Sequence, residues 1–453
     1  MCEVWGVVNL NILVVGGGAR EHAICDAVCR SKGGIRLYSI MNNLNPGIKH
    51  LSKNYLQVKE TNVSKVVEYA KEKEIDLVIV GPEAPLEAGM VNVLNKNGID
   101  ACSPTKEAAR IETDKEWMRD LLKRYEIPGQ LNCASFTDVQ KAKRFIDDLN
   151  GEIAIKPIGL TGGKGVKVAG DHFHGIDEAL TYVKEVIDEK IGGRAKVLIE
   201  EKAKGEEFTL QAFSDGYSIL PFHAVQDHKR LLPGDEGPNT GGMGSYSCAD
   251  GLLPFLSKSE YEEAAVILQK IVEALNKDGC KYIGPIYGQF MLTTNGPKII
   301  EINARFGDPE AMNVLPLLKT DFVGLCKAML GGSISNEKVR LEKKSTVCKY
   351  IVPEGYGVKS MVGEKVVVDE NSIKNTGSRL FYSSVNKDNA NIYTTSSRSL
   401  AIVGIADKLY DAEKICEEAL NHVNGEHIFI RHDIGTAELI EKRTEHMRKL
   451  RGM

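Results

Sequence analysis

The segment QFMLTTNGPKIIEINARFGDPE, residues 289–310, concentrates residues able to do chemistry. Glu301, Asn303 and Arg305 recur at every second position. On a strand, alternate residues share one face. Gln289 falls on the partner strand of a hairpin whose turn is Asn295-Gly296, a strong hairpin step. Carboxylate and carboxamide oxygens suit a hard divalent cation, Mg²⁺ or Mn²⁺, that shares its coordination with substrate phosphates. Arg305, two residues on, can neutralise a transferring phosphoryl group. A solvated strand face is the competing reading.

Two further stretches suit a nucleotide. IKPIGLTGGKGV, residues 155–166, places Lys156 on a strand ahead of Gly159, Gly162, Gly163 and Gly165. It is not a Walker A loop, because Ile158 and Gly165 stand where Gly and Ser/Thr are needed. A fixed cation followed by a turn rich in backbone N–H groups nevertheless fits phosphate. In VLIEEKAKGEEF, residues 197–208, an apolar strand runs into carboxylates. Backbone beside such a strand end can hold adenine, and Glu207 can accept ribose hydroxyls; a solvated acidic turn would use the same residues. The stretch 226–247, QDHKRLLPGDEGPNTGGMGSYS, reads as a polar, glycine-rich loop outside the core, with N–H groups able to close on a small carboxylate.

LVVGGGAREHA, residues 13–23, looks like a dinucleotide fingerprint but departs from it. Gly16 and Gly18 fill the first two glycine positions, and Glu21 stands at the third, where close helix packing demands Gly. The ribose-binding acid is missing as well: Met41, Asn42 and Asn43 stand there. A helix N-terminus still favours an anion, and Arg20 would add a bidentate contact, so a substrate phosphate fits better than a cofactor pyrophosphate. Gly81, Pro82 and Glu83 follow another strand of the same sheet and border the same crevice.

These residues need elements to hold them. Over the first 110 or so residues, strands (11–15, 35–40, 76–80) alternate with helices (20–30, 63–73, 89–97), which implies βαβ units and a parallel sheet. A helix is expected over 113–125, stopped by Pro128. Short strands then surround glycine turns (152–156, 166–168, 196–200, 208–213), implying an antiparallel α+β unit. A helix at 258–276 and the hairpin 289–302 follow. After Gly331-Gly332 come strands 348–352, 400–405 and 427–431 with a helix near 411–422. The fold class is thus mixed α/β and α+β, in three domains: 1–112, 113–330 with a mobile glycine-rich part about 134–204, and a small strand-rich 331–453.

The 453 residues carry a net charge of -4 and 42% hydrophobic residues, ordinary globular material with no basic bias toward nucleic acid. Ten cysteines form no C-x-x-C pair, which suits a reducing cytosol. The first eleven residues do not read as a signal peptide, and no apolar run nears the ~18 residues of a membrane span. The expected location is the cytoplasm.

Taken together, VVGGGAREHA, IDLVIVGPEAPL, KPIGLTGGKGV, QDHKR, GPNTGGMGSYS, EINARFGDPE and RHDIG resemble the ATP-grasp superfamily nearly end to end. Within it they are most similar to the phosphoribosylamine–glycine ligases, the glycinamide ribonucleotide synthetases. The resemblance implies an N-terminal substrate domain, a central ATP-grasp module and a small C-terminal domain. It implies ligation of glycine to 5-phosphoribosylamine with ATP, in a monomer or homodimer, through glycyl phosphate. By the same resemblance Lys115 and Lys156 contact ATP phosphates together with Gly162 and Gly163. Glu200, Glu201 and Ala203 line the adenine, Glu207 the ribose, and Gln289, Glu301 and Asn303 hold Mg²⁺ or Mn²⁺. Gly18, Arg20, Glu21, Gly81, Pro82 and Glu83 face the phosphoribosyl substrate. Asp227, Asn239, Thr240 and Asp308 are candidates for glycine. The sequence departs from the family at Ala19, at Thr113-Asp114 ahead of Lys115, and at Pro157 and Thr161. Three other readings use part of the same residues: an ATP-grasp carboxylase acting on a purine ribonucleotide, a nicotinamide-dependent oxidoreductase built on the first sheet, and an ATP-sensing binding protein.

Overall fold

The computed structural model describes residues 9–161, 165–388 and 391–453. Gly162 and Gly163 therefore lie outside the described residues. The first strand, Asn9–Val15, carries the apolar run Ile12–Val15, fully buried. It sits at the centre of a five-stranded parallel sheet, between Gly34–Met41 and Leu77–Val80. Sequential order reverses at this strand, and such a reversal opens a crevice at the strands' carboxyl ends. Gly16–Gly18 and Gly81–Glu83 leave those two ends.

A second, antiparallel sheet runs Cys133–Phe136, Val197–Glu201, Ile153–Pro157, Lys167–Val168. The helices Val139–Asp148 and Ile176–Asp188 cover it, and its core, which includes Ile146, Ile155, Val183 and Ile199, is separate from the rest of the molecule. The third sheet is the largest. It starts with Gly296–Asn303, Ile283–Thr293, Glu206–Asp215 and Ile219–Asp227. It continues through Gly244–Ser247 into Ser345–Pro353, Leu400–Ala406 and Arg379–Tyr382. These strands beyond residue 331 therefore extend the sheet that carries the 289–303 hairpin, while Val385–Asp388, Asn391–Thr394, Lys365–Val368 and Val423–Asn424 form a separate four-stranded sheet.

Four expectations change. The stretch 226–247 is not an irregular surface loop: it contains a hairpin, Arg230–Leu232 with Glu236–Asn239, and then a fully buried strand, Gly244–Ser247. Polar groups of this hairpin are satisfied from far along the chain. Arg431, with none of its side chain exposed, donates to the Arg230 carbonyl and pairs with Asp235 at 3.0 Å, while Arg443 also pairs with Asp235. The helix expected over 113–125 is present as Lys115–Arg124, and a separate helix, Lys106–Thr113, precedes it, the two divided because Asp114 adopts an extended conformation and its carboxylate caps the Trp117 N–H. The strand at 296–303 ends at Asn303, so Arg305 lies past the pleat rather than on the Glu301–Asn303 face. Finally, several strands run longer than their apolar cores suggest: Ile283–Thr293 has eleven residues, because backbone pairing to Glu206–Asp215 continues through polar positions.

Candidate active site

A cleft of about 270 Å³ lies where the first sheet meets the third. Arg20, Glu83, Lys115, Asp227, Thr240, Glu301, Asn303, Arg305 and Asp308 all line it. Residues singled out in five separate parts of the sequence thus converge on one space. A smaller cavity of about 230 Å³ lies on the other side of the first glycine loop, lined by Gly18, Glu21 and Pro82 among others.

The glycine loop differs from the open cradle its sequence suggests. The Glu21 carboxylate folds back, accepting from the Gly18 N–H at 2.8 Å and pairing with Arg20 at 2.6 Å. A Cβ on Gly81 would stand 2.2 Å from a Glu21 oxygen, and one on Gly16 only 2.4 Å from its Cγ. The glycines make room for a carboxylate of the protein itself, which takes part of the anion-binding capacity of the helix N-terminus. Arg20 also donates to the Phe306 carbonyl at 3.1 Å, so it enters the cleft from the first sheet already oriented.

What keeps Arg305 in the cleft is a residue the sequence did not single out. Glu112 pairs with Arg305 at 2.8 Å and accepts from the Ala304 N–H at 2.7 Å. Glu83 approaches the same guanidinium at 3.4 Å. Burial pushes the Glu112 carboxyl up to about 7, with Arg305 opposing the shift and Glu83 adding to it. Burial also acts on Glu83, but Arg305 and then Arg20 outweigh it and hold that carboxyl below its ordinary range.

Below them stands the hairpin face. Gln289 lies opposite Glu301 in the antiparallel pairing. Its amide nitrogen donates to Glu207 at 2.6 Å, while its oxygen is buried with no hydrogen-bond partner. Asn303 donates to Glu301 at 3.2 Å. A buried carbonyl-type oxygen left without a donor, beside a carboxylate, fits a hard cation; the described residues contain no cluster of three or more His, Cys, Asp or Glu of that kind. Lys115 donates to the Gly159 carbonyl at 2.8 Å and faces the cleft. Burial lowers its pKa, against Glu301 and with Lys156.

Lys156 and Glu200 stand behind the cleft rather than on its wall. Lys156 pairs with Glu200 at 2.7 Å and donates to the Ile300 carbonyl at 3.0 Å; Glu200 is also bound by Arg119 at 2.6 Å. This buried triad ties the second sheet to the hairpin strand. Glu201 and Ala203, at the strand end that follows, are half-buried. Glu207 is partly open, with Lys229 at 3.3 Å.

Of the glycine candidates, Asn239 is off the cleft wall, at the end of the short hairpin. Thr240 donates to the Lys229 carbonyl and accepts from the Gly242 N–H. Asp308 is engaged on both oxygens, by the Tyr350 hydroxyl and by Arg398 at 3.2 Å. Asp227 has Lys229 at 3.4 Å and one buried oxygen with no hydrogen bond. Burial raises its pKa, Lys229 opposes and Glu207 adds. Glu310, also on the wall, is pushed up to about 7 by burial and then by Asp227.

Sequence reasoning did not single out Glu112, Lys229, Glu310 or Arg398. Lys229 and Glu310 sit inside the QDHKR and RFGDPE motifs, so extending attention along each motif finds them. Glu112 lay two residues before the departure at Asp114, on a helix face with no periodic signal. Arg398 gives no signal: it reaches the Gly241, Gly242 and Asp308 carbonyls from the far end of the chain.

A three-part α/β and α+β chain with lysine, carboxylate and arginine groups gathered at the junction of a parallel and an antiparallel sheet defines the ATP-grasp class. Family comparison agrees. Residues 10–112, 113–311 and 346–437 match the N, ATP-grasp (A) and C domains of phosphoribosylglycinamide synthetase, and the chain belongs to that family. The phosphoribosylamine–glycine ligase of Methanothermobacter thermautotrophicus is 50% identical over 98% of this chain and 100% of its own length. That of Methanocaldococcus jannaschii is 49% identical over the same shares. Among solved structures, phosphoribosylamine–glycine ligase from Thermotoga maritima superposes with a TM-score of 0.79 at 23% identity, over 94% of this chain and 100% of that one. Biotin carboxylase from Campylobacter jejuni shares the fold, with a TM-score of 0.73 at 14% identity over 97% of this chain and 98% of that one.

Proposed function

We propose that this chain is an ATP-dependent ligase that joins glycine to 5-phosphoribosylamine, giving glycinamide ribonucleotide, ADP and phosphate, a step of purine biosynthesis. The observation that carries the reading is the convergence of Arg20 and Glu83 from the first sheet with Lys115, Glu301, Asn303 and Arg305 in one cleft. A carboxylate acylates an amine only once activated. Transfer of the ATP γ-phosphoryl group to glycine supplies a phosphate leaving group, and the amine of phosphoribosylamine then attacks the carbonyl and expels it. No enzyme nucleophile is needed, so positioning and fixed charge dominate.

On this reading the residues take the following roles. Lys115 meets the ATP phosphates. Lys156, tethered to Glu200, supplies a second cation from behind, and Glu200, Glu201 and Ala203 border the nucleotide end, with Glu207 at the ribose. Gln289, Glu301 and Asn303 would hold the divalent cation, Mg²⁺ or Mn²⁺, whose chemistry is charge neutralisation on the phosphates. Arg305 faces the acyl phosphate. Gly18, Arg20, Glu21, Gly81, Pro82 and Glu83 frame the phosphoribosyl group. The second sheet, with its own core, is built to close as a unit and exclude water, which protects the acyl phosphate.

The test is ADP release with ATP, a divalent salt and phosphoribosylamine generated in situ, with and without glycine. Strict dependence on both substrates is expected. Release that ignores glycine and responds to bicarbonate would instead make the chain a carboxylase. NADH binding followed by fluorescence checks the oxidoreductase reading, which the carboxylate of Glu21 inside the glycine loop opposes.

A further inference from the structure

A cavity of about 680 Å³ shares no lining residue with the cleft or with the smaller cavity at the glycine loop. On one side stand the helices Ala19–Cys29 and Pro46–Leu51. On the other stand the helix Glu370–Asn375 and the strand Arg379–Tyr382. We propose that this cavity is a second ligand site, for a phosphate ester about the size of a nucleoside monophosphate. Sites for small organic molecules commonly hold about 300–1,000 Å³ at such junctions, with an apolar wall and a few placed polar groups. Here Pro46, Leu51, Ile373, Leu380 and Phe381 supply the apolar wall.

The charges select an anion. Lys374, Arg379 and Lys387 line the cavity, with His50, against the carboxylates Asp26 and Glu370. Both carboxylates are engaged, Asp26 by Arg30 at 2.8 Å and Glu370 by the Tyr382 hydroxyl at 2.7 Å. Arg379 comes no nearer to Asp26 than 3.7 Å, and Lys374 and Lys387 have no ion pair among the described residues.

His22 adds a directed donor. It has no part in the proposed reaction, although it belongs to the GAREHA stretch. Its ring is only 8% exposed and packs against Phe381 and Tyr382. Nδ1 accepts from the Tyr382 N–H at 2.9 Å. Burial pushes the pKa down to about 4, so at neutral pH the ring is uncharged and its proton sits on Nε2. That N–H makes no hydrogen bond among the described residues, on a ring that lines the cavity. Gly47 leaves room for it: a Cβ there would stand 2.3 Å from Nε2. A phosphate oxygen supplies the missing acceptor.

The cavity wall also connects to the first glycine loop. The Tyr382 carbonyl accepts from the Asn45 side-chain amide at 2.7 Å, and the same amide donates to the Gly17 carbonyl at 2.9 Å. A ligand that fixes Tyr382 favours one position of Gly17, so phosphoribosylamine should bind more tightly beside that loop. This link rests on the ligase reading above; the binding of the phosphate ester does not.

Calorimetric titration of the full chain with AMP tests the site, with the cleft filled by magnesium and a non-hydrolysable ATP analogue. AMP should still bind, and adenosine, which lacks the phosphate, should bind at least about 10-fold more weakly. Reversing the exposed charges with Lys374→Glu and Arg379→Glu together should weaken AMP at least about 10-fold. His22→Asn keeps an acceptor for the Tyr382 N–H but loses the Nε2 donor, and should weaken AMP about fivefold. In the ADP-release assay at saturating ATP, AMP should lower the KM for phosphoribosylamine about fivefold in the wild type and not in the charge-reversed chain. No AMP binding once the ATP analogue is present, equal affinity for adenosine, or unchanged AMP affinity in the charge-reversed chain overturns the proposal. Binding without a change in that KM overturns the link to the glycine loop. Should His22→Asn not fold, the charge-reversed chain decides, because both of its substitutions are exposed. A wild type with no glycine-dependent release sinks the ligase reading and leaves the titration result standing.

Discussion

Two charged clusters share the cleft, and they are built on opposite plans. Arg20, Glu83, Glu112 and Arg305 form a balanced set in which each carboxylate has a guanidinium within reach. Asp227, Glu207, Glu301 and Glu310 crowd around Lys229, which faces all four. The first cluster balances its charges as folded, although Arg305 Nε, 3.4 Å from Glu83, makes no hydrogen bond. The second leaves Asp227 and Gln289 oxygens unpaired and has two carboxyls with raised pKa values. A balanced cluster fixes the orientation of Arg305; an acid-rich one is short of cations, which the proposed ATP chemistry would bring. Stability resides in the first, binding capacity in the second.

The comparison is broken most severely at Arg305. Arg305→Met strands Glu83 and Glu112 in a buried site, and should cost about 3–5 kcal/mol of stability. ADP release should drop by at least about 10³-fold. Thermal unfolding and the release assay check both; a stable, active variant would dissolve the distinction between the clusters. Glu301→Gln should lower release about 10²–10³-fold at fixed divalent salt, with partial recovery at higher salt, while unfolding changes by less than about 1 kcal/mol.

The acid-rich cluster also carries a pH signature. Glu310 has its carboxyl raised from an ordinary 4.5 to about 7, so the folded chain holds that proton more tightly than the unfolded one. Stability should therefore fall as pH rises from about 4.5 to about 7 and flatten above it, by up to about 3 kcal/mol for this group. Glu310→Gln should remove this group's share of the slope, leaving the share of Glu112, whose carboxyl is also raised to about 7, and raise the unfolding temperature at pH 8, measured without nucleotide or metal. The smallest effect is expected at Arg20, whose guanidinium sits at the rim of the balanced cluster. Arg20→Ala should raise the KM for phosphoribosylamine about 10-fold, leaving that for ATP nearly unchanged. Equal loss of both would remove the assignment of the first glycine loop.

Much of the architecture was legible where one residue type answers to local physics. The parallel sheet followed from apolar runs such as Ile12–Val15, and the hairpin from Asn295-Gly296. The grouping of Glu301 and Asn303 followed from the pleat. Arg305 shows where that reasoning stops: its spacing continued the pattern, but the strand did not, and a helix residue, Glu112, took over its placement. The stretch 226–247 shows the same limit from the other side. Its polarity spoke for solvent, yet Gln226, His228, Thr240 and 242–247 are buried, and Arg431 and Arg443 arrive from some 200 residues away to fix the partly exposed hairpin between them. Local pattern cannot report a partner that only topology supplies. Glu21 is intermediate: its presence argued against a dinucleotide, but only the fold shows its carboxylate occupying the space the glycines leave.

The path of the largest sheet has a consequence for synthesis. Gly244–Ser247 is bordered by Ser345–Pro353, which is made roughly a hundred residues later, or on the order of 5–20 s at usual translation rates. Once Gly296–Asn303 is made, the growing chain carries a part-built sheet with an open edge at Gly244–Ser247 until Ser345–Pro353 arrives, the kind of surface that recruits other strands. Ribosome-arrested chains ending near residue 320 should accordingly be more prone to aggregate, and more dependent on chaperones, than chains extended past residue 435. The closing strand is thus a timing problem for the cell as well as a seam in the finished molecule.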